Sequence, residues 1–251
     1  MSKLKTAFGV IHTIKSWPLY FLDYLKLAGK RRITYELRNG VSYAARTGTL
    51  DLGIVNEIWV HQHYVPKGFE IREGDVVVDM GAHIGIFSVF ASRLAGKGRV
   101  YSFEPTPENF ELLEHNIKLN RADNILAFNL AMADKTGQRE ISICASNSGG
   151  HSFYSDTGNK IIVNTISLKE FVDQNGIFKI NFMKLDCEGA EYDILLACPN
   201  EVLAKVEKIS MEYHNLDELR NVSVIKEFLE KKGFEVCVES EKSCMLYARR
   251  T

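Results

Sequence analysis

The residue types best suited to chemistry fall at the ends of apolar runs. Val76-Val77-Val78-Asp79-Met80-Gly81-Ala82-His83-Ile84-Gly85 reads as a buried strand that passes directly into a glycine turn and an apolar helix. Such a turn lets the backbone approach a ligand closely, and ligands of open α/β sheets bind beyond the carboxyl ends of the strands. A dinucleotide fingerprint would need G-x-G-x-x-G here, and only part of that spacing survives, with Asp at 79 and His at 83. A carboxylate beside the turn repels a pyrophosphate and attracts the ammonium and sulfonium groups of S-adenosylmethionine. The next apolar run ends in Glu104, within Ser102-Phe103-Glu104-Pro105, where a carboxylate can accept hydrogen bonds from both hydroxyls of a ribose. Together the two acids predict a cationic nucleoside cofactor.

A third set, Asp186, Glu188 and Glu191, ends another apolar run and begins a helix. Crowding of like charges raises a carboxylate pKa toward that of a useful base, and the same oxygens can hold a divalent cation such as Mg or Mn. The structural alternatives are a helix cap for Asp186 and a solvated helix acid for Glu191. His214, in Met211-Glu212-Tyr213-His214, is expected at the same crevice, as a general base or a hydrogen-bonding residue, with Glu212 a weaker candidate. Cys187 is expected to be an apolar filler and Lys184 an outward-facing strand residue. His83 either touches substrate or packs, and His151 has no assigned place.

Short β-branched runs that alternate with amphipathic helices after Gly74 predict βαβ units and a parallel sheet to position these groups. Strands are expected over Val76 to Asp79, Arg99 to Phe103, Ile125 to Asn129, Asn181 to Asp186 and Lys208 to Glu212. Helices fit Gly85 to Leu94, Pro107 to Leu119, Ala190 to Ala197 and Val222 to Lys232, and the strands Phe234 to Glu239 and Cys244 to Arg249 close the chain as a hairpin. Ser146 to Gly150 and Asn159 to Ser167 read as an insertion on the ligand side. Before Gly74, Leu4 to Leu27 predicts two helices broken near Pro18, Asn39-Gly40 a tight hairpin between Ile33 to Leu37 and Val41 to Ala45, and Asp51 to His61 a short helix.

The strings VVVDMGAHIGIFS, FEPTPENFELLEHNIKLN, NTISLKEFV, MKLDCEGAEYDIL and MEYH resemble the successive signature blocks of the FkbM family of methyltransferases, over roughly Arg46 to Arg249. The resemblance implies an α/β, Rossmann-like class I methyltransferase fold: a mostly parallel seven-stranded sheet with a C-terminal antiparallel hairpin, residues 71–251, under an N-terminal helical and hairpin cap, residues 1–70. It implies an S-adenosylmethionine-dependent O-methyltransferase acting on a hydroxyl of a small molecule, sugar or glycan. By the same resemblance Asp79, Gly81, Ala82 and Gly85 line the methionine end, Glu104 holds the ribose, and Glu57 and Tyr64 close over the cofactor. On the helix pattern alone these last two read as an exposed acid and a packing tyrosine. Ala131, Met132 and Asp134 are candidates for the adenine, and Asp186, Glu188 and His214 for catalysis. The competing readings are methylation of RNA ribose or a protein side chain, a non-catalytic cofactor-binding module, and a nicotinamide dehydrogenase, which the glycine pattern disfavours. The string L-D-C-E-G-A-E is neither the D/N-P-P-Y/F block nor the Pro-Cys of base-methylating enzymes, so nucleic-acid bases are not expected as acceptors.

Bulk properties set the frame. With 251 residues, 45% of them hydrophobic and 25% charged, the chain can bury a substantial core. A net charge of -1 provides no global positive field for nucleic acid. Five scattered cysteines without a C-x-x-C pair suggest reduced thiols and a cytoplasmic setting. No signal peptide is read, and no apolar run reaches the roughly 18–20 residues of a membrane span. Trp17, Tyr20, Phe21 and Tyr24, followed by Lys30-Arg31-Arg32, suit either a cap that encloses substrate or joins copies in a homo-oligomer, or peripheral membrane contact through residues 4–32.

Overall fold

The structure is a computed structural model that describes residues 3–143, 159–239 and 243–250. Helices α1 (Lys3–Thr13) and α2 (Trp17–Tyr24) open the chain, with Pro18 in the first turn of α2, where its missing N–H leaves no bond unmade. The hairpin β1 (Arg32–Glu36) and β2 (Ser42–Arg46) follows, and Gly40 at its tip has φ 86°. Helix α3 (Asp51–Asn56) continues without a break into a π-helical turn, Glu57–His61, which Gln62 ends in a left-handed conformation. From there the chain alternates: β3 (Val76–Met80), α4 (Ile86–Ala95), β4 (Arg99–Phe103), α5 (Pro107–Asn120), β5 (Ile125–Phe128). Beyond the small strands β6 (Ala131–Ala133), β7 (Gly137–Ser142) and β8 (Lys160–Ser167) come α6 (Leu168–Gln174), β9 (Phe182–Leu185), α7 (Glu191–Leu196) and α8 (Asn200–Leu203). The chain ends with β10 (Lys208–Glu212), α9 (Val222–Lys231), β11 (Phe234–Val238) and β12 (Met245–Arg250).

The main sheet has the order β11-β12-β10-β9-β3-β4-β5, parallel except for β12, which runs against both of its neighbours. This is the mostly parallel, Rossmann-like sheet that the resemblance implied, and its order reverses between β3 and β9. A topological switch point of this kind opens a crevice beyond the carboxyl ends of the two strands. Successive residues of a strand serve opposite layers. Val77 and Phe182 pack with α4 and the N-terminal elements, whereas Val78, Met80, Met183 and Leu185 pack with α6 to α9. Val10, Ile14, Tyr35 and Tyr43 of the N-terminal segment are buried in the same layer as Val77 and Phe87.

The segment expected as a plain insertion is more ordered than the sequence suggests. Lys160–Ser167 is the central strand of a three-stranded sheet, β6-β8-β7, parallel to β6 and antiparallel to β7. The Ser146 to Gly150 loop, Cys144 and His151 lie outside the described residues.

Candidate functional site

The β3 and β9 ends meet at the switch point. Gly81, with φ 77°, packs so closely that a Cβ there would sit 1.8 Å from the Asp186 carbonyl oxygen. Only glycine permits both that approach and that φ. The N–H groups of Gly81 and Ala82 donate to the Phe103 carbonyl at 3.1 and 2.8 Å, which fixes the turn to β4. Gly85 serves packing instead: a Cβ would lie 2.5 Å from Leu113 Cδ1, so it brings α4 against α5.

Beyond these ends lies a cleft of about 1020 Å³, counting its part open to solvent. Among its lining residues are Gly81, Glu104, Ala131, Met132 and five further groups able to do chemistry: Glu57, His83, Asp186, Glu188 and Glu212. The structure thus brings Glu57, Gly81, Glu104, Ala131, Asp186 and Glu188 of the sequence candidates to one cavity. Asp79, Tyr64, Ala82, Gly85 and His214 stand behind its wall. Asp134 pairs with Arg139 at 2.8 Å.

Asp79 is fully buried and does not face the cleft. Its Oδ2 accepts from the Ser88 hydroxyl at 2.6 Å, and its Oδ1 lies 3.1 Å from Lys184 Nζ. Lys184 is therefore not an outward strand residue. In a sheet covered on both faces, Lys184 shares the side of Phe182, where its ammonium donates to the Gly81 carbonyl at 2.9 Å and stands 5.1 Å from the Tyr64 ring centroid. Burial opposes this charge, but Asp79 and Asp186 outweigh burial and hold the Lys184 pKa well above the usual lysine range. With Asp79 neutralised, the acids that face the cleft carry its negative field.

Asp186 Oδ2 accepts from the Tyr64 hydroxyl at 2.8 Å, and Lys184 Nζ is 3.6 Å from the same oxygen. The Tyr64 hydroxyl also lies 3.2 Å from Glu212 Oε2. One phenol proton serves one carboxylate at a time. Burial and then the Asp186 charge raise the Glu212 pKa, against the His214 charge and the Tyr64 bond. Burial, with Glu212 and Asp186 nearby, also lifts Glu57 to about 7. The area that Glu57 leaves exposed forms part of the cleft wall.

Glu188 lies on a left-handed backbone, φ 51°, a conformation that costs a non-glycine residue about 1–3 kcal/mol and often marks a functional position. Burial is the main cause that raises its pKa to about 7, against the opposing charge of His214. His214 Nε2 is 3.5 Å from Glu188 Oε2, and its Nδ1 is 3.3 Å from Glu191 Oε1. Burial alone would lower the His214 pKa, but Glu191, Glu188 and Asp186 together raise it to about 9. The imidazole is thus a cation at neutral pH, which suits support of Glu188 better than proton acceptance. Glu191 is not a solvated acid either. It is fully buried, and its two oxygens accept from the Cys187 and Gly189 N–H groups at 2.7 and 2.9 Å. It thereby ties down the loop before α7, and α7 itself has no side-chain cap, so Asp186 does not serve as one. The Cys187 thiol is pushed well up by burial and then by the Glu191 charge, as befits a filler.

Glu104 is held from several sides: it accepts from His83 N at 2.9 Å and Thr106 N at 3.0 Å, and from the Thr106 hydroxyl. Burial raises its pKa. A carboxylate has about four acceptor positions, and His83 N is the donor on Oε2, so capacity remains there for a hydroxyl. Sequence reasoning missed the group behind it. Arg46 pairs with Asp51 at 3.0 Å, donates to Asn109 Oδ1 at 2.8 Å and lies 3.2 Å from His83 Nε2. Burial, opposed by Asp51, lowers His83 to about 4, so a neutral imidazole receives the guanidinium. The only signal in the sequence is Arg46 at the end of a predicted strand and Asp51 five residues on, which many surface pairs share.

Among the described residues no group of three or more His, Cys, Asp or Glu side chains is arranged to hold a metal ion. A family model described as the methyltransferase FkbM domain matches residues 79–236, more than half of the chain. The chain is 25% identical over 239 residues to 31-O-demethyl-FK506 methyltransferase FkbM of Streptomyces tacrolimicus, covering 83% of this chain and 91% of that protein. Methyltransferase 1 of Beauveria bassiana is 22% identical, with 83% and 94% covered. Hexuronic acid methyltransferase AglP of Haloferax volcanii is 32% identical over 146 residues, 58% of either chain. The match spans the glycine turn, Glu104, the Asp186 loop and His214, and on it the chain belongs to the FkbM family of methyltransferases.

Proposed function

We propose that this methyltransferase uses S-adenosylmethionine to methylate a hydroxyl of a small molecule, sugar or glycan. The observation that carries the reading is Asp186, a carboxylate on the cleft wall at the switch point, fixed through one oxygen by Tyr64 and Lys184. Relatives named for 31-O-demethyl-FK506 and for hexuronic acid support oxygen as the target. The cleft fits the donor. Phe103, Ala131, Met132 and Ile141 offer apolar surface to a base, Glu104 a carboxylate to a ribose, and Glu57, Asp186, Glu188 and Glu212 negative charge to a cation.

The donor, when bound, supplies a methyl group made electrophilic by its sulfonium charge. The chain positions the acceptor in line with that methyl and removes a proton. Asp186 Oδ1 is the oxygen we assign to that proton, because Oδ2 is occupied. Glu188, at about 7, then passes it to solvent at neutral pH, and the His214 cation holds Glu188 in place.

Labelled methyl donor supplied to a panel of hydroxylated acceptors is expected to give an alkali-stable methyl ether. Label found on nitrogen, carbon or an ester instead would contradict the reading. The pH dependence has a definite sign. Glu57 and Glu188, both about 7, must be ionised to attract the cation, so kcat/KM is lost as pH falls through about 7. His214, at about 9, loses its charge above that, which sets the alkaline limb. A bound cation draws both carboxylates down, so the acid limb of kcat is expected below that of kcat/KM; coincident limbs would place the cation away from these acids. Glu104→Gln is expected to weaken S-adenosylhomocysteine binding by about 10- to 150-fold, since a hydrogen bond to a charged group contributes about 1.5–3 kcal/mol. Unchanged affinity by calorimetry would put the ribose elsewhere.

A further inference from the structure

We infer that the outer face of α1, α2 and the segment that follows docks on an anionic lipid surface. Each helix has one side that serves the fold. Along α1 and the two residues after it, Val10 and Ile14 are buried one turn apart, and Phe8, His12 and Lys15, which pairs with Glu36, lie on the opposite side. In α2, Tyr20 and Asp23 point inward, and the Tyr35 hydroxyl donates to Asp23 at 2.9 Å. The outward side is unusually apolar for a protein surface. Phe8, Tyr24, Leu25 and Leu27 are 65%, 63%, 60% and 70% exposed, and Ile11, Trp17 and Leu22 are exposed beside them.

Charge identifies the occupant. Residues 3–38 hold eight Lys and Arg against two Asp and Glu, whereas the whole chain holds 31 against 32. One of the two acids, Asp23, is buried on the inner side. The exposed stretch Tyr24 to Arg32 interleaves Leu25 and Leu27 with Lys26, Lys30 and Arg31, while Arg32 pairs with Glu111 at 2.9 Å. Aromatic and leucine side chains beside basic ones match the boundary between lipid headgroups and acyl chains, where apolar burial and attraction to anionic lipid act together. A second copy meeting the same patch would set basic cluster against basic cluster, so the charge disfavours self-association here. No described helix is long and apolar enough to cross a membrane, so the contact is peripheral.

The surface is mechanically joined to the cleft. A Cβ on Gly9 of α1 would stand 2.5 Å from Val60 Cγ1, so α1 lies tightly on the π-helical turn whose first residue is Glu57. Leu50, Gly53, Ile54 and Glu57, from α3, its N-terminal neighbour and that turn, form part of the cleft wall. Docking on the outer side of α1 therefore bears on the cleft wall through this contact. This holds whether or not Asp186 is the base.

The test is co-sedimentation of the full chain with vesicles of neutral phosphatidylcholine alone and with about one-third phosphatidylglycerol. The protein is expected to pellet with the anionic vesicles only and to be released by high salt. The double substitutions Leu25→Glu with Leu27→Glu, and Lys30→Glu with Arg31→Glu, are each expected to lower the partition coefficient at least about tenfold. Both pairs are exposed and outside the cleft, so the thermal shift given by S-adenosylhomocysteine should be unchanged. Equal recovery in the supernatant with both vesicle types would overturn the proposal, as would charge-reversed variants that pellet like the wild type. Wild-type dimers in sedimentation velocity that the same substitutions dissociate, without vesicle binding, would assign the face to a second copy instead.

Discussion

Asp186→Asn is expected to lower turnover by about 10²–10⁴-fold, the usual contribution of a positioned general base. Asparagine keeps the shape of the side chain, and its carbonyl oxygen can still accept from the Tyr64 hydroxyl that Asp186 Oδ2 engages at 2.8 Å. The cleft keeps Glu57, Glu188 and Glu212, so the donor should bind with affinity close to that of the wild type. Helix α7 should also survive, because Asp186 does not cap it and the loop before it is held by Glu191. The expected pattern is thus a fall in kcat with little change in donor affinity or melting temperature. A purely structural carboxylate would show the reverse, with stability lost and activity per folded molecule retained. Full turnover of Asp186→Asn with a working acceptor would remove it from the mechanism and leave Glu188 as the base. If EDTA abolished wild-type turnover and Mg²⁺ restored it, these oxygens would have to be reassigned to a cation.

The sheet was legible because its strands announce themselves. Val76-Val77-Val78, Arg99 to Phe103 and Lys208 to Glu212 are short runs closed by turns, and the structure puts strands over nearly the same residues. The C-terminal hairpin and the two helices broken near Pro18, just before Trp17, followed from equally local signals. What local pattern could not supply was register. Asp79 pairs with Ser102 on one side and Lys184 on the other, and Lys184 in turn with Ser210. Four buried strands thus each place one polar residue in a single row on one face. Each interruption is visible in the sequence, but only alignment of the strands shows that they meet. The same limit explains Glu191, which looks like a surface acid until the loop before α7 folds back onto it. The β6-β8-β7 sheet was missed because Lys160–Ser167 alternates polar and apolar residues only weakly and its parallel partner β6 has only three residues.

That polar row yields the largest stability effect expected from a single change. Lys184→Met removes the countercharge of Asp79, which is fully buried and relies on Lys184 Nζ at 3.1 Å and the Ser88 hydroxyl. Breaking a buried pair by deleting one partner typically costs about 3–5 kcal/mol, because the remaining charge is left uncompensated. In a chain of this size that corresponds to a fall in melting temperature of roughly 6–20 °C. Methionine fills most of the space against Tyr64 and Phe87, so loss of packing contributes little. Asp79→Asn combined with Lys184→Met should restore most of the stability, since asparagine carries no charge to strand and can still accept from Ser88. The two effects separate in a double-mutant cycle, which reads the coupling between contacting residues. Function should not recover with stability. Lys184 also donates to the Gly81 carbonyl and stands beside Asp186, so the double variant is expected to fold well yet bind S-adenosylhomocysteine poorly and turn over slowly. If the single substitution cannot be purified, the double variant alone still decides. Stability near the wild type together with weakened cofactor binding would identify Lys184 as the residue that positions the turn and Asp186, whereas wild-type binding and turnover would reduce the pair to a buried charge that the fold merely tolerates.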